Sequence, residues 1–364
     1  MKLMAISIIL FICMSVFQGC INSNSDYEKI IVIGETDAIN GVYDPSIEYD
    51  KHGTGWMTYS TVKAPEYVST HIAKSEDHGQ TWTFITTINQ AINGTIMMNN
   101  DSELQGVWRH EVSTLVNDPS DSGKEWKIFW HKYFTIPPYD VEKRLFQYGW
   151  IAYKYAHTPE GPWSDEIALF GSGFFPLEPF NTLYNLSGFH PDLAENIVYS
   201  EPGSLLFNDT LYLSLNAHSI IDGNNIGKTI LIKSNDHGNT WEYVNTLLEP
   251  QDVEAYNGIY FTGSSLVKEK NRLFLLACPE NPNNGIKHHL GTCIFEFEDI
   301  DKGLLQRDAN DTVILHKYIA LSLISGGQSD YDEQNIYGGI VLPQHNYLEL
   351  PEFFQIYNTK ISIV

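Results

Sequence analysis

The chain is poor in basic residues, and arginine is especially scarce. Its 364 residues include 22 Lys or Arg but 45 Asp or Glu, which gives a formal net charge of −23. Arginine occurs at only four positions: Arg109, Arg144, Arg272 and Arg307. A chain this acidic has no overall attraction for phosphate backbones or anionic membrane surfaces, so we expect no nucleic-acid partner. The acidic excess also disfavours strongly anionic polymers as ligands.

Cysteine is also scarce, and several common catalytic motifs are missing. Of four cysteines, Cys13 and Cys20 lie near the N-terminus, while Cys278 and Cys293 lie in consecutive strand-like runs. A disulfide and a pair of buried thiols are both compatible with that placement. The sequence has no C-x-x-C or Cys/His zinc pattern, no G-x-S-x-G elbow, no P-loop, no H-E-x-x-H and no dinucleotide fingerprint. These absences disfavour structural zinc and the corresponding enzyme classes.

The N-terminal segment carries a long apolar run. Lys2 precedes an apolar stretch from Met4 to Phe17, and Gly19-Cys20 follows it. The run is short for a membrane span and has the layout of an export signal. It resembles a bacterial lipoprotein signal, with residues 1–19 removed, Cys20 lipidated and residues 20–27 forming a tether. A non-lipoprotein signal peptide or an uncleaved anchor is the alternative. We expect a protein exported and lipid-anchored to the bacterial cell envelope, at the outer membrane or cell surface.

Two octamers repeat within the chain. Residues 75–82 and 234–241 share the pattern S-x-D-H-G-x-T-W, and each lies between two strand-like stretches. We expect hairpin turns whose Asp caps backbone amides, whose Gly takes a positive φ and whose Trp packs between sheets. The residues concerned are Asp77, Gly79, Trp82, Asp236, Gly238 and Trp241. The octamers resemble the Asp-box (BNR repeat) of sialidases and other carbohydrate-active β-propellers, which implies a structural role for both aspartates.

The repeat spacing indicates the architecture. A degenerate third copy at residues 157–163 places Trp163 about 80 residues from both Trp82 and Trp241. Such an interval holds one four-stranded blade plus loops. The remaining sequence consists of short strand-like runs without sustained helical periodicity. We therefore predict an all-β fold, a five-bladed β-propeller formed as a single domain by residues 28–364, with a six-bladed sialidase-like propeller as the alternative. The predicted blades span residues 40–90, 104–170, 197–248, 258–300 and 312–364, with residues 29–35 completing the last.

Three acidic residues precede strands in three consecutive predicted blades. These are Asp44, Glu111 and Glu201, which we expect at equivalent points near the mouth of the central channel. Asp44-Pro45-Ser46-Ile47 and the segments 108–112, 151–163 and 201–207 resemble, in chain order, motifs of glycoside hydrolase family 43. That resemblance implies that Asp44 is the general base and Glu201 the general acid, and that Glu111 tunes the pKa of the acid. Glu111 replaces the family's usual Asp.

The expected function is hydrolysis of a neutral glycan by a surface-anchored, monomeric enzyme. If one carboxyl group protonates the leaving oxygen while the other activates water, the anomeric configuration inverts. The candidate substrate contacts are Tyr43, Trp56, Trp108, Arg109 and His110. An exo-sialidase and a non-catalytic carbohydrate-binding or surface-assembly propeller remain alternatives. Sialidases bind the substrate carboxylate with three arginines, and such a clamp would use nearly every arginine of this chain. No cofactor is expected. The family resemblance implies structural Ca²⁺ near His288 and His289 as an alternative, and the 299–303 loop resembles a Ca²⁺ loop.

Overall fold

The computed structural model describes residues 27–97, 102–139, 144–172, 181–221, 224–321, 324–335, 339–346 and 349–364. The predicted signal at 1–19, Cys20 and all but the last residue of the tether lie outside these ranges and remain predictions. In the described part of the chain, no helix is long and apolar enough to cross a membrane.

The strands form five sheets, each a blade of the propeller. The described chain starts with β1 (Glu28–Lys29) and β2 (Val32–Ile33). The first blade joins β2 to β3 (Val42–Tyr49), β4 (Gly55–Lys63), β5 (Tyr67–Ser75) and β6 (Trp82–Asn89). The second contains β7 (Ile92–Met97), β8 (Glu103–Asn117), β9 (Trp126–Thr135), β10 (Arg144–Ala156), β11 (Ile167–Gly171) and β12 (Tyr184–Asn185). The third contains β13 (Val198–Phe207), β14 (Thr210–Ile221), β15 (Asn224–Ser234) and β16 (Glu242–Leu248).

The last two blades follow a short helix, α1 (Pro250–Val253). The fourth blade contains β17 (Tyr260–Glu269), β18 (Arg272–Glu280), β19 (Thr292–Asp299), β20 (Leu304–Leu305) and β21 (Leu315–Ile319). The fifth contains β22 (Ile324–Ser325), β23 (Asp330–Asp332), β24 (Gly339–His345), β25 (Phe354–Asn358) and β1. Short 3₁₀ segments occur at Leu186–Gly188, Pro191–Leu193, Glu254–Tyr256, Pro282–Lys287 and Ile300–Lys302.

The five-bladed, all-β prediction is confirmed, with two corrections at blade edges. β1 pairs with β25 and closes the ring as expected, but β2 runs parallel to β6 in the first blade. Residues 29–35 are therefore divided between the last and first blades. β21 pairs with β19 in the fourth blade, whereas we had assigned residues from 312 onward to the fifth. Both corrections concern short edge strands, whose few ladder hydrogen bonds leave a weak sequence signal.

Hydrophobic clusters between neighbouring blades hold the ring together. Trp241, from the third blade, packs edge-on against Phe129 and Phe170 of the second. Trp82 is fully buried beside residues of the fifth blade, including Val341 and Ile356. Large aromatic rings bury about 150–250 Å² each, so these contacts account for much of the attraction between blades. Cys278 and Cys293 are both buried and are free thiols.

The two octamers form matching turns. Asp77 accepts hydrogen bonds from the backbone N–H and the hydroxyl of Thr81, at 2.8 and 2.6 Å. Asp236 accepts the same pair from Thr240, at 2.8 and 2.7 Å. The turn glycines have φ values of +75° and +90°, which favour glycine because a Cβ would be strained there. The two aspartates therefore have an evident structural task in the turns.

Candidate active site

The innermost strands surround the centre of the ring and carry a repeated irregularity. β3, β8, β13, β17 and β23 contact one another in this order and return to β3. The first four each contain a β-bulge with a positive-φ residue: Asp44 (+49°), Val112 (+53°), Glu201 (+52°) and Gly263 (+55°). A bulge bends the strand and redirects a side chain. The repeated bulges therefore place a set of side chains and backbone amides at one mouth of the central channel.

Asp44 lies almost completely buried at this mouth. It is 3% exposed, and its Oδ1 accepts a hydrogen bond from the backbone N–H of Gln328 at 3.2 Å. Its Oδ2 accepts from the hydroxyl of Ser60 at 3.4 Å, and Ser60 Oγ in turn accepts from the backbone N–H of Val112. Burial, followed by the negative charges of Glu111 and Glu201, holds the pKa of Asp44 well above its usual value. The three predicted carboxyl groups are thus electrostatically coupled.

Glu201 is anchored through one of its two carboxyl oxygens. Its Oε2 accepts from Asn216 Nδ2 and from the backbone N–H of Gly263, both at 2.6 Å, and also from the hydroxyl of Thr262. Within the described ranges, no donor reaches Oε1. The side chain is half-buried, so Oε1 is the oxygen that remains available to a bound molecule.

Glu111 belongs to the same cluster but occupies a different strand position. It lies one residue before the positive-φ position of its bulge, whereas Asp44 and Glu201 occupy that position themselves. Our expectation of three strictly equivalent acids is therefore corrected for Glu111. The hydroxyl of Tyr133 donates to Glu111 Oε2. Glu111 remains half-buried and contributes to the charge that raises the pKa of Asp44.

Gln328, from the fifth blade, crosses the centre of the channel. Its Nε2 donates to the carbonyl oxygens of Ser113 and Pro202, both at 3.3 Å, and so links the second and third blades. The preceding Gly327 has a φ of +104°, and an added Cβ would come within 2.8 Å of the Tyr43 ring. Gln328 reaches this position because glycine allows the close approach. The sequence offered no pattern that singled out either residue.

Two further charged groups at the mouth were missed from the sequence. Arg144, at the start of β10, interacts electrostatically with Glu111, Glu280 and Asp44, and its buried Nε has no hydrogen-bond partner among the described residues. Glu280 ends β18, where burial and the charge of Glu201 raise its pKa to about 8. Both stand at strand ends without a surrounding motif, and only the folded ring brings them to the acids.

Next to Glu280 lie the two consecutive histidines. The potential ligand atoms of Glu280, His288 and His289 all lie within 4.8 Å of one another. This cluster could hold a metal ion. The 299–303 segment instead forms a capped 3₁₀ turn, in which Asp299 Oδ1 accepts from the backbone N–H of Lys302 at 3.3 Å and Oδ2 accepts from Lys302 Nζ at 2.6 Å. Lys302 thus occupies the carboxylate that a Ca²⁺ loop would need.

Four of the five residues expected to contact substrate are buried and pack against or hydrogen-bond to other protein groups. Trp56 is 2% exposed and packs edge-on against Trp126, while Trp108 packs against Phe134 and Trp150. Arg109 donates to the carbonyl oxygens of Pro65, Glu66 and Tyr139, and His110 accepts from Trp130 Nε1. These four side chains are buried and engaged by protein groups, which argues against their contact with substrate. Tyr43 is also buried, and its hydroxyl lies 3.3 Å from Nδ1 of His289, a member of the Glu280–histidine cluster.

The octamer turns lie at the far ends of the strands. Ser75, which begins the first octamer, pairs with Gly55 at the start of β4, whereas Ser60 of the same strand reaches Asp44. Five residues of strand separate these points by about 16 Å. This distance places Asp77 well away from the carboxyl cluster.

No family profile matches this chain. A sialidase from Paraclostridium sordellii is 21% identical over an alignment of 358 positions that covers 84% of each protein. A thermostable family-43 glycoside hydrolase superposes with a TM-score of 0.52 at 12% identity, covering 90% of this chain and 91% of that one. The Bombyx mori GH32 β-fructofuranosidase BmSUC1 superposes with a TM-score of 0.50 at 12% identity, covering 91% of this chain but only 61% of that one. The chain therefore shares its fold with glycoside hydrolases and part of its sequence with a sialidase.

Proposed function

We propose that this chain is a glycoside hydrolase with Asp44 and Glu201 as its catalytic pair. The observation that carries the proposal is that bulges in the innermost strands of three consecutive blades bring the carboxyl groups of Asp44, Glu111 and Glu201 to one mouth of the channel, where the two glutamates act electrostatically on Asp44. Glycoside hydrolysis requires one carboxyl group that donates a proton and a second that acts as a base or nucleophile. A cluster of interacting carboxyl groups supplies such a pair because neighbouring charges separate their protonation states.

Asp44 suits the role of general base. A base is most effective when its pKa lies near the working pH, and an ordinary aspartate is too weak. Burial and the two neighbouring glutamates strengthen Asp44 by raising its pKa. The hydrogen bonds from Gln328 and Ser60 hold its carboxylate in one orientation.

Glu201 suits the role of general acid. Three donors fix its Oε2, and Oε1 is left to carry the proton that protonates the leaving oxygen. Because Oε1 belongs to a half-buried side chain, it is reachable by a sugar bound at the channel mouth. With a water-activating base, this pair inverts the configuration at the anomeric carbon.

Arg144 supports a second candidate, a glycosidase for a carboxylated sugar such as the sialidase alternative. Its Nε is buried and unpartnered in the described part of the chain, and guanidinium groups bind carboxylates through parallel hydrogen bonds. A three-arginine clamp is not formed, since Arg109 binds backbone carbonyls, Arg272 pairs with Glu296 and Arg307 pairs with Asp252. Any carboxylate recognition at this mouth therefore depends on Arg144 as its arginine.

A substrate panel tests both candidates. Purified protein is incubated with neutral and carboxylated aryl glycosides and with oligosaccharides, and the first-formed anomer is followed by proton NMR. Hydrolysis with inversion supports the proposed pair, whereas retention excludes Asp44 as a water-activating base. If Arg144→Met loses hydrolysis of the carboxylated substrates but keeps hydrolysis of the neutral ones, the second candidate is supported. Binding without turnover across the panel favours the non-catalytic carbohydrate-binding alternative.

We further propose that the enzyme is exported and anchored by lipid at Cys20. The support is the apolar leader followed by Gly19-Cys20. Growth with labelled palmitate should label the wild-type chain. Cys20→Ala should stay unlabelled and should appear in the membrane-free fraction. An unlabelled wild-type chain contradicts the anchor.

A further inference from the structure

The channel mouth carries a group of side chains with metal-ligating chemistry that glycoside hydrolysis by Asp44 and Glu201 does not use. Glu280 ends β18, and His288 and His289 follow the 3₁₀ turn Pro282–Lys287. The carboxylate oxygen and imidazole nitrogens of this trio lie within 4.8 Å of one another. Ligands of a transition metal stand about 2.0–2.2 Å from the ion, so modest side-chain rotation brings these atoms to one centre.

The backbone fixes the trio in place. Glu280 and His289 are partners in an isolated antiparallel β-bridge. The backbone N–H of Asn281 donates to the carbonyl of His288 at 2.8 Å, and that of Leu290 donates to Pro279 at 2.9 Å. The backbone therefore pairs with the end of β18 in a defined register. This pairing holds the three side chains close together.

The hydrogen bonds of the two histidines indicate which ring nitrogen keeps a lone pair for an ion. His288 Nδ1 lies 3.0 Å from the carbonyl oxygen of Gly285, which can only accept, so Nδ1 carries the proton. Tyr43 donates its hydroxyl proton to the carbonyl of Gly326, so the Tyr43 oxygen accepts from His289 Nδ1 at 3.3 Å. Both rings consequently keep the lone pair on Nε2. Metal-binding histidines typically donate their other N–H to a protein oxygen in this way.

We propose that Glu280, His288 and His289 form a binding site for a divalent transition metal such as Zn²⁺. Two imidazole nitrogens and one carboxylate are a common ligand set for such ions, and they leave positions open for water or substrate. Calcium prefers six to eight oxygen ligands, so this set disfavours the Ca²⁺ alternative considered from the sequence. The site adjoins the proposed catalytic cluster because Glu201 and Glu280 interact electrostatically.

Direct binding measurements test this site independently of any hydrolysis. The purified full-length chain is stripped with a chelator, and Zn²⁺, Co²⁺ and Ca²⁺ are titrated separately by calorimetry. We expect one Zn²⁺ per chain, Co²⁺ binding with visible absorption bands typical of nitrogen and oxygen ligands, and weaker Ca²⁺ binding. His289→Gln and Glu280→Gln should each weaken Zn²⁺ binding by at least about 100-fold, and Tyr43→Phe by about 10–100-fold through the lost acceptor.

The matched control is His157→Gln, which changes a histidine whose side chain is 74% exposed. It should bind Zn²⁺ as the wild type does. Circular dichroism and thermal unfolding without metal identify any ligand variant that fails to fold, in which case the other variant decides. The proposal is overturned if Zn²⁺ does not bind, if Ca²⁺ binds more tightly, or if a folded ligand variant retains wild-type affinity.

Discussion

The backbone N–H of Gln328 donates to Oδ1 of Asp44 at 3.2 Å, joining residues 284 positions apart in the chain. The last blade therefore contacts the first at the proposed base itself. The Gln328 side chain extends further, to carbonyls of the second and third blades. Closure of the propeller and orientation of Asp44 thus depend on the same residue.

Replacing Gln328 with alanine should destabilise the ring. The change leaves the carbonyls of Ser113 and Pro202 without this donor and removes a side chain that is 1% exposed. We expect the free energy of unfolding to fall by about 1–3 kcal/mol. Urea unfolding measures the change, and Gln251→Ala, at an exposed position of α1, is the control. Equal stability of both variants would mean that the crossing side chain contributes nothing.

Replacing Glu111 with glutamine should shift the pH profile. Glu111 raises the pKa of Asp44 through its negative charge, so its removal lowers that pKa. The base must be ionised to act, and the acidic limb of kcat/KM should therefore move to lower pH. The exposed Glu76→Gln serves as the control, with no shift expected. An acidic limb that stays in place, or moves to higher pH, contradicts a charge interaction between Glu111 and the base.

Acid stability should depend on Glu35. Burial raises its pKa, but hydrogen bonds from His71 and Tyr59 outweigh burial and lower the pKa to about 2 from a usual 4.5. A lowered pKa stabilises the fold above pH 4.5, and this stabilisation is lost as the pH falls toward 2. The side chain is 6% exposed, and the shift corresponds to at most about 3 kcal/mol.

Glu35→Gln should therefore be less stable than the wild type at pH 7 and should lose less stability on acidification. Urea unfolding at pH 7, 4.5 and 3 gives the comparison, with Glu76→Gln as the matched surface change. Parallel pH dependence in the wild type and Glu35→Gln would show that another group governs acid stability.

The octamer aspartates should affect stability and leave hydrolysis unchanged. Asp236→Ala removes the acceptor of two hydrogen bonds from Thr240, and we expect a loss of about 1–2 kcal/mol. Its kcat/KM should equal that of the wild type below the unfolding temperature. Asp165→Ala, at an exposed position, controls for the loss of a surface charge. A fall in kcat/KM without a fall in stability would assign Asp236 to the reaction instead.

Features that neighbouring residues specify could be predicted from the sequence. Residues that meet only when the ring closes could not. The octamer turns and the acids at Asp44 and Glu201 carry local patterns, because bulges and turns are specified by neighbouring residues. Arg144, Glu280 and Gln328 carry none, since each meets the site across blades. The prediction that Trp56 and Trp108 contact substrate is not supported by the structure, for a physical reason. Aromatic rings serve blade cores as well as sugar surfaces, and sequence alone does not separate the two.

The central claim is that Glu201 protonates the leaving oxygen, and leaving-group dependence tests it most directly. We compare kcat/KM of Glu201→Gln and the wild type on two substrates that share one sugar, an alkyl or sugar glycoside and a dinitrophenyl glycoside. Our account predicts a loss of about 10²–10⁴-fold on the first and less than about tenfold on the second, which needs no protonation. Equal losses on both substrates, or an undiminished rate on the first, would contradict it.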